Sequence, residues 1–213
     1  MQKSSSVPVK VYIAICTVTS WFAILLQLYL IITNRKLNVA ATVVQFFSYF
    51  TILTNILVAI CFTTLLQQPT AGHFFTKSKT LTATAVYITI VGAIYNLVLR
   101  QLWKPEGWQL LADNLLHTVV PVLFVLYWLL AVSKRDLRWK DFLPWLVYPF
   151  IYLVYILFRG AVTSLYPYPF VDVATYGYAK VLANSGWMMV GFILISLIFI
   201  GLGKLISKFV TAT

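Results

Sequence analysis

The chain has 213 residues, 61% of them hydrophobic and 10% charged, with a formal net charge of +11. A soluble domain is about half apolar and about a quarter charged, so this composition excludes a soluble enzyme and points to an integral membrane protein with no separate soluble domain. The positive charge then reads as a topology signal rather than an affinity for nucleic acid.

Six apolar runs are long enough to cross ~30 Å of hydrocarbon, which takes ~20 helical residues. They are Val9–Ile32, Ala41–Leu66, Leu81–Leu102, Leu110–Val132, Phe142–Leu165 and Val181–Ile206. Each is apolar all round, whereas a transmembrane barrel shows alternating segments of about ten residues. The expected fold is therefore an all-α bundle of six transmembrane helices forming one domain over residues 1–213. Short connections make neighbouring helices antiparallel.

The first run follows Lys3 and Lys10 but exceeds a signal-peptide core. Thr33-Asn34-Arg35-Lys36 follows it instead of a small-residue cleavage site, so it reads as a retained helix. With both termini cytoplasmic, the inner side carries ten of the 16 Lys and Arg: Lys3, Lys10, Lys77, Lys79, Lys134, Arg135, Arg138, Lys140, Lys204 and Lys208. The outer side carries the other six, Arg35, Lys36, Arg100, Lys104, Arg159 and Lys180, in keeping with the bias of basic residues to inner loops. Cys16 and Cys61 lie inside spans and read as small core hydrophobes. No metal-ligand spacing and no phosphate-binding glycine loop occurs, so no cofactor is expected.

In chain order, the second run offers a polar stripe of Ser48, Thr51 and Asn55, and the third ends on Asn96 and Arg100. The fourth holds His117. An ionisable side chain in hydrocarbon costs several kcal/mol and is a functional candidate by default. Asp113, Asn114 and His117 share a helical face, followed by Thr118 and Pro121. Arg159, Lys180 and Asn184 add polar groups near the outer ends of the last two runs. At 1.5 Å per residue, Thr51 and His117 lie roughly 15 and 11 Å below the outer boundary, in one layer. The expectation is a polar vestibule open to the outer side and floored by these two residues. The connection Tyr166-Pro167-Tyr168-Pro169-Phe170-Val171-Asp172 is either an interfacial loop or a lid over it.

A threonine hydroxyl becomes a nucleophile when a base takes its proton, and a neutral imidazole is such a base. Thr51 is the candidate nucleophile and Thr54 its rival three residues on; His117 is the candidate base. Asp113 is the nearest group to fix its tautomer and Asn114 the second, while Asn55 is placed to donate to a developing oxyanion. Each has a plainer reading. Membrane threonines usually bond the carbonyl one turn back, asparagines join helices, and a carboxylate suits a helix start. The competing class is a transporter or lipid-binding protein that uses His117, Asp113 and Arg100 as a proton relay or anion site. Six helices with no internal repeat is unusual for a secondary transporter.

Three segments carry a resemblance: Phe50-Thr51-Ile52-Leu53-Thr54-Asn55, Asn114-Leu115-Leu116-His117-Thr118-Val119-Val120-Pro121, and Arg159 through Val162-Thr163 to Tyr168-Pro169-Phe170. Together they resemble the androgen-induced protein family of six-helix membrane hydrolases, most closely its bacterial branch. The resemblance implies a threonine nucleophile at Thr51, a histidine base at His117, and cleavage of fatty acid esters of hydroxy fatty acids. It implies a bacterial cell membrane, no cofactor and no metal. The partners are then a lipid ester arriving from the bilayer and water from the vestibule. Vertebrate members carry a second histidine where this chain has Asn114, which bears on substrate class more than on reaction type.

Overall fold

The computed structural model describes residues 7–67, 72–102 and 104–211; Lys3, assigned above to the inner side, lies outside them. Six helices are long and apolar enough to cross a membrane: Val7–Thr33, Phe50–Gln67, Ser78–Gln101, Gly107–Ala131, Trp139–Thr163 and Val173–Phe209. The chain is an integral membrane protein of all-α class, as the composition required.

The elements are α1 (Val7–Thr33), α2 (Val39–Phe46), α3 (Phe50–Gln67), α4 (Ser78–Leu97), α5 (Gly107–Asn114), α6 (Val120–Ala131), α7 (Phe142–Trp145), α8 (Val147–Thr163) and α9 (Val173–Thr211). Helix α4 is the hub. It packs on α3, α6 and α9, and 61% of its span is buried against 22% to 44% in the others. The core around it is aromatic, with Phe62, Phe124 and Trp128 fully enclosed. Two indole N–H groups in these spans find partners across helices, since hydrocarbon offers none. Trp128 Nε1 donates to Thr82 Oγ1 at 2.9 Å and Trp21 Nε1 to Thr63 Oγ1 at 3.0 Å. Cys16 and Cys61 are buried and unbridged.

The second run departs from expectation. It is not one helix from Ala41 to Leu66 but two, α2 and α3, broken at Phe47-Ser48-Tyr49. Tyr152 of α8 explains the break. Its hydroxyl donates to the Ser48 carbonyl at 2.8 Å and accepts from the Phe50 N–H at 3.2 Å, so it replaces a rung of the helix ladder. Tyr155 meets the Ser48 hydroxyl at 3.0 Å. Thr51 is thus the second residue of α3, not a mid-helix residue about ten positions in.

The last run also begins earlier than expected, at Val173, and bends at Gly177, where φ is +71° and only glycine is unstrained. At the opposite end of the bundle from the site, Lys134 is buried and caps α6. Its Nζ donates to the carbonyls of Trp128 at 2.5 Å and Leu129 at 2.7 Å, groups a helix end otherwise leaves bare. Lys134→Ala is expected to cost about 1–2 kcal/mol through those uncapped carbonyls, read as a lower melting temperature in detergent.

Candidate active site

The local backbone around His117 follows from Pro121. Proline has no N–H, so it cannot serve the carbonyl four residues back in an α turn, nor the one five back in a π turn. The segment Leu115–Val119 is a π turn, with the Val120 N–H reaching the Leu115 carbonyl. The two carbonyls that Pro121 fails to serve are taken by asparagines from neighbouring helices. Asn55 Nδ2 donates to the Leu116 carbonyl at 3.2 Å, and Asn96 Nδ2 to the His117 carbonyl at 3.2 Å. Gly92 lets α4 come this close, since a Cβ there would sit 3.2 Å from the His117 carbonyl oxygen and 3.4 Å from Pro121 Cβ.

His117 is held on two sides. Its ring stacks on Tyr95, centroids 3.8 Å apart and planes 15° apart. Its Nδ1 lies 2.9 Å from the Asp113 main-chain oxygen and 3.3 Å from Asp113 Oδ1. A carbonyl oxygen only accepts, so Nδ1 carries the proton of the neutral ring, a tautomer inferred from the partner. Nε2 then keeps its lone pair, and it makes no hydrogen bond among the described residues. Asp113 is itself buried; the Tyr95 hydroxyl lies near its carboxylate without reaching hydrogen-bond geometry.

Asn114 does not join this group. Its Oδ1 accepts from Arg100 at 3.3 Å, and Arg100 also donates to Asn96 Oδ1 at 2.8 Å. The π turn is the reason. With more residues per turn than an α helix, it aligns the residue four back with His117 and turns the one three back aside. No ion pair joins Arg100 to Asp113 among the described residues, so the relay His117–Asp113–Arg100 lacks its last link.

Thr51 shows what the helix break does. Starting α3 at Phe50 leaves the Thr51 N–H without a helical partner, and the Tyr168 hydroxyl takes it at 3.3 Å. The same hydroxyl lies 3.4 Å from Thr51 Oγ1. Burial pushes the Tyr168 phenol up from its ordinary range, so it stays a neutral hydroxyl. Most span threonines here bond the carbonyl four residues back, as Thr63, Thr64, Thr82, Thr84 and Thr89 do; Thr51 does not. Thr54 is fully buried against the Tyr148 hydroxyl at 3.3 Å.

Thr51 and His117 line one cavity of about 650 Å³, whose wall also includes Gln27, Asn34, Arg35 and Lys36. Thr54 is not part of that wall. No hydrogen bond joins Thr51 to His117 among the described residues; what they share is the cavity wall. Asn55 corrects a second expectation. Both donors of its amide are spent on main-chain oxygens, Thr51 at 2.8 Å and Leu116 at 3.2 Å. It is not available to an oxyanion; it is the strut that ties the two candidate residues' backbones together. Asn55→Leu is expected to cost about 1–2 kcal/mol from the lost interhelical bond, seen as a lower melting temperature. A wild-type melting curve would remove the strut.

The connection after α8 lies over this cavity, with Leu165, Pro167, Tyr168 and Pro169 among its walls. Arg159, buried in α8, donates to the Leu165 carbonyl at 2.8 Å. Asn184 of α9 donates to the Phe170 carbonyl at 3.0 Å. The connection thus forms part of the cavity wall and is tied to α8 and α9 at its two ends. Tyr95, Tyr152 and Gly92 went unmarked in the sequence, since tyrosine and glycine are unexceptional in apolar runs, and Tyr168 was marked only as part of the connection. Pro121, four residues after His117, was the readable signal of a distorted helix.

Fold and site together define a six-helix membrane bundle with a cavity whose wall holds an oriented histidine and a threonine at a helix start. No family model, curated protein or solved structure matches the chain.

Proposed function

We propose that the protein is an integral-membrane lipid esterase with Thr51 as nucleophile and His117 as base. The observation that supports this best is the shared cavity. It places an imidazole with an unoccupied Nε2 and a threonine hydroxyl outside the usual back-bond on one wall. The cavity they share is where an ester carbonyl or a water belongs.

In this reading Thr51 Oγ1 attacks the ester carbonyl carbon while Nε2 of His117 accepts the hydroxyl proton. The bond to the alcohol oxygen breaks as the imidazolium returns that proton to it. Water then attacks the acyl-threonine with His117 again as base, releasing the acid and restoring the hydroxyl. Asp113 orients the ring through its main-chain and carboxylate oxygens. The Thr51 N–H, at a helix start, is a candidate donor to the oxyanion once Tyr168 yields it. The substrate class we favour is fatty acid esters of hydroxy fatty acids, and the location a bacterial cell membrane. Both rest on the resemblance of the three segments described above.

A fluorophosphonate probe tests the reading. The expected result is a covalent adduct on the peptide that carries Thr51, found by mass spectrometry and lost in Thr51→Ala and His117→Ala. An adduct on Thr54, or none in a folded protein, overturns it.

A further inference from the structure

A second, smaller cavity of about 90 Å³ adjoins the first, and Thr51, Tyr95, Leu99 and Tyr168 wall both. Its remaining wall comes from α3, α4, α8 and α9, with Phe50, Ile94, Leu153, Met188, Met189 and Phe192, and no charged residue lines it. Its other polar groups are turned away: the Ser185 hydroxyl donates to the Val181 carbonyl at 2.8 Å, and Tyr152 to Ser48. Thr51, with the Tyr168 hydroxyl on it, is thus where this dry chamber meets chemistry.

We infer that this cavity is the seat of a single alkyl chain, the hydrocarbon arm of a lipid whose polar part occupies the larger cavity. An apolar cavity of about 150 Å³ stays dry and takes one benzene, so 90 Å³ suits a slender chain end rather than a ring or a branched group. Leu153, Met188 and Met189 line the chamber, are only partly buried and sit in spans, so they reach from the chamber towards the bilayer. Methionine is the adaptable residue for such a wall. A chain entering there from the bilayer would bring its carbonyl to Thr51. That last link rests on the esterase reading; the chain seat does not.

The test uses the purified full-length protein in nanodiscs and a fatty acid bearing a terminal alkyl diazirine. The expected adducts fall on Val91 and Phe192, which are 6% and 5% exposed and unreachable from the lipid surface, in wild type and in Thr51→Ala alike. Ile94→Trp, which fills the chamber, should cut them at least fivefold while adducts on the lipid-facing Leu194 and Ile198 persist. Leu153→Trp serves the same purpose should the first variant misfold. Adducts confined to Leu194 and Ile198 in wild type, or unchanged by both tryptophans, overturn the seat. Buried adducts in a wild-type protein that hydrolyses no ester leave the seat standing and remove the esterase reading. Hydrolysis without buried adducts does the reverse.

Discussion

Replacing His117 with alanine is expected to slow lipid-ester hydrolysis by about 10²–10⁴-fold, the usual worth of a positioned general base. The loss should fall on kcat, because in the proposed reaction the imidazole acts on the Thr51 proton in the transition state and not on the bound ester. The fold should survive. The bonds from Asn55 to the Leu116 carbonyl and from Asn96 to the His117 carbonyl are to the main chain and remain in the variant, and the Asn96 contact with the Thr118 hydroxyl does not involve the imidazole. Tyr95 loses its stacking partner, a modest loss of about 0.5–1.5 kcal/mol. Steady-state kinetics on a long-chain ester, beside a melting curve, separates the two effects. A folded His117→Ala with wild-type kcat would remove histidine from the chemistry.

Gly160→Ala is expected to displace the connection between α8 and α9 that walls the cavity. A Cβ at this position would lie 1.9 Å from Tyr166 Cε1, 2.2 Å from Cζ and 2.5 Å from Cδ1, distances no pair of atoms tolerates. The backbone of α8 is fixed there by its own ladder, so the ring must leave. Tyr166 is two residues from Tyr168, and its exit pulls on the hydroxyl that holds Thr51. Overpacking of this kind costs about 1–3 kcal/mol, and a chain of this size loses about 2–4 °C in melting temperature per kcal/mol. The pair Gly160→Ala with Tyr166→Ala should recover most of the melting temperature, since the methyl then has room. Recovery absent from the double variant would place the damage elsewhere than in this contact.

The six spans were legible because hydrocarbon thickness fixes how long an apolar run must be, and nothing in the packing changes that. His117 was legible because an imidazole in such a run needs a reason. What could not be read were features set by partners far along the chain. The break at Phe47-Ser48-Tyr49 leaves no mark on hydropathy; a tyrosine hydroxyl about a hundred positions later makes it. Asn114 stayed a second candidate behind Asp113 because the spacing argument assumes 3.6 residues per turn, which puts both beside His117. The π turn imposed by Pro121 chose between them. Asn55 looked like a donor to substrate because its position relative to Thr51 is right. Only the three-dimensional placement of the Leu116 carbonyl shows that its amide is already engaged.

Tyr168 walls both cavities and its hydroxyl occupies the Thr51 main-chain donor. Any molecule that bridges the two chambers competes with that ring for the same space. Its apparent affinity is the intrinsic one scaled by the fraction of molecules whose ring has already swung out. Substitutions that anchor the segment raise the melting point and thin that population; those that loosen it do the opposite. Thermal robustness and ligand uptake are in this way set against each other by one phenol.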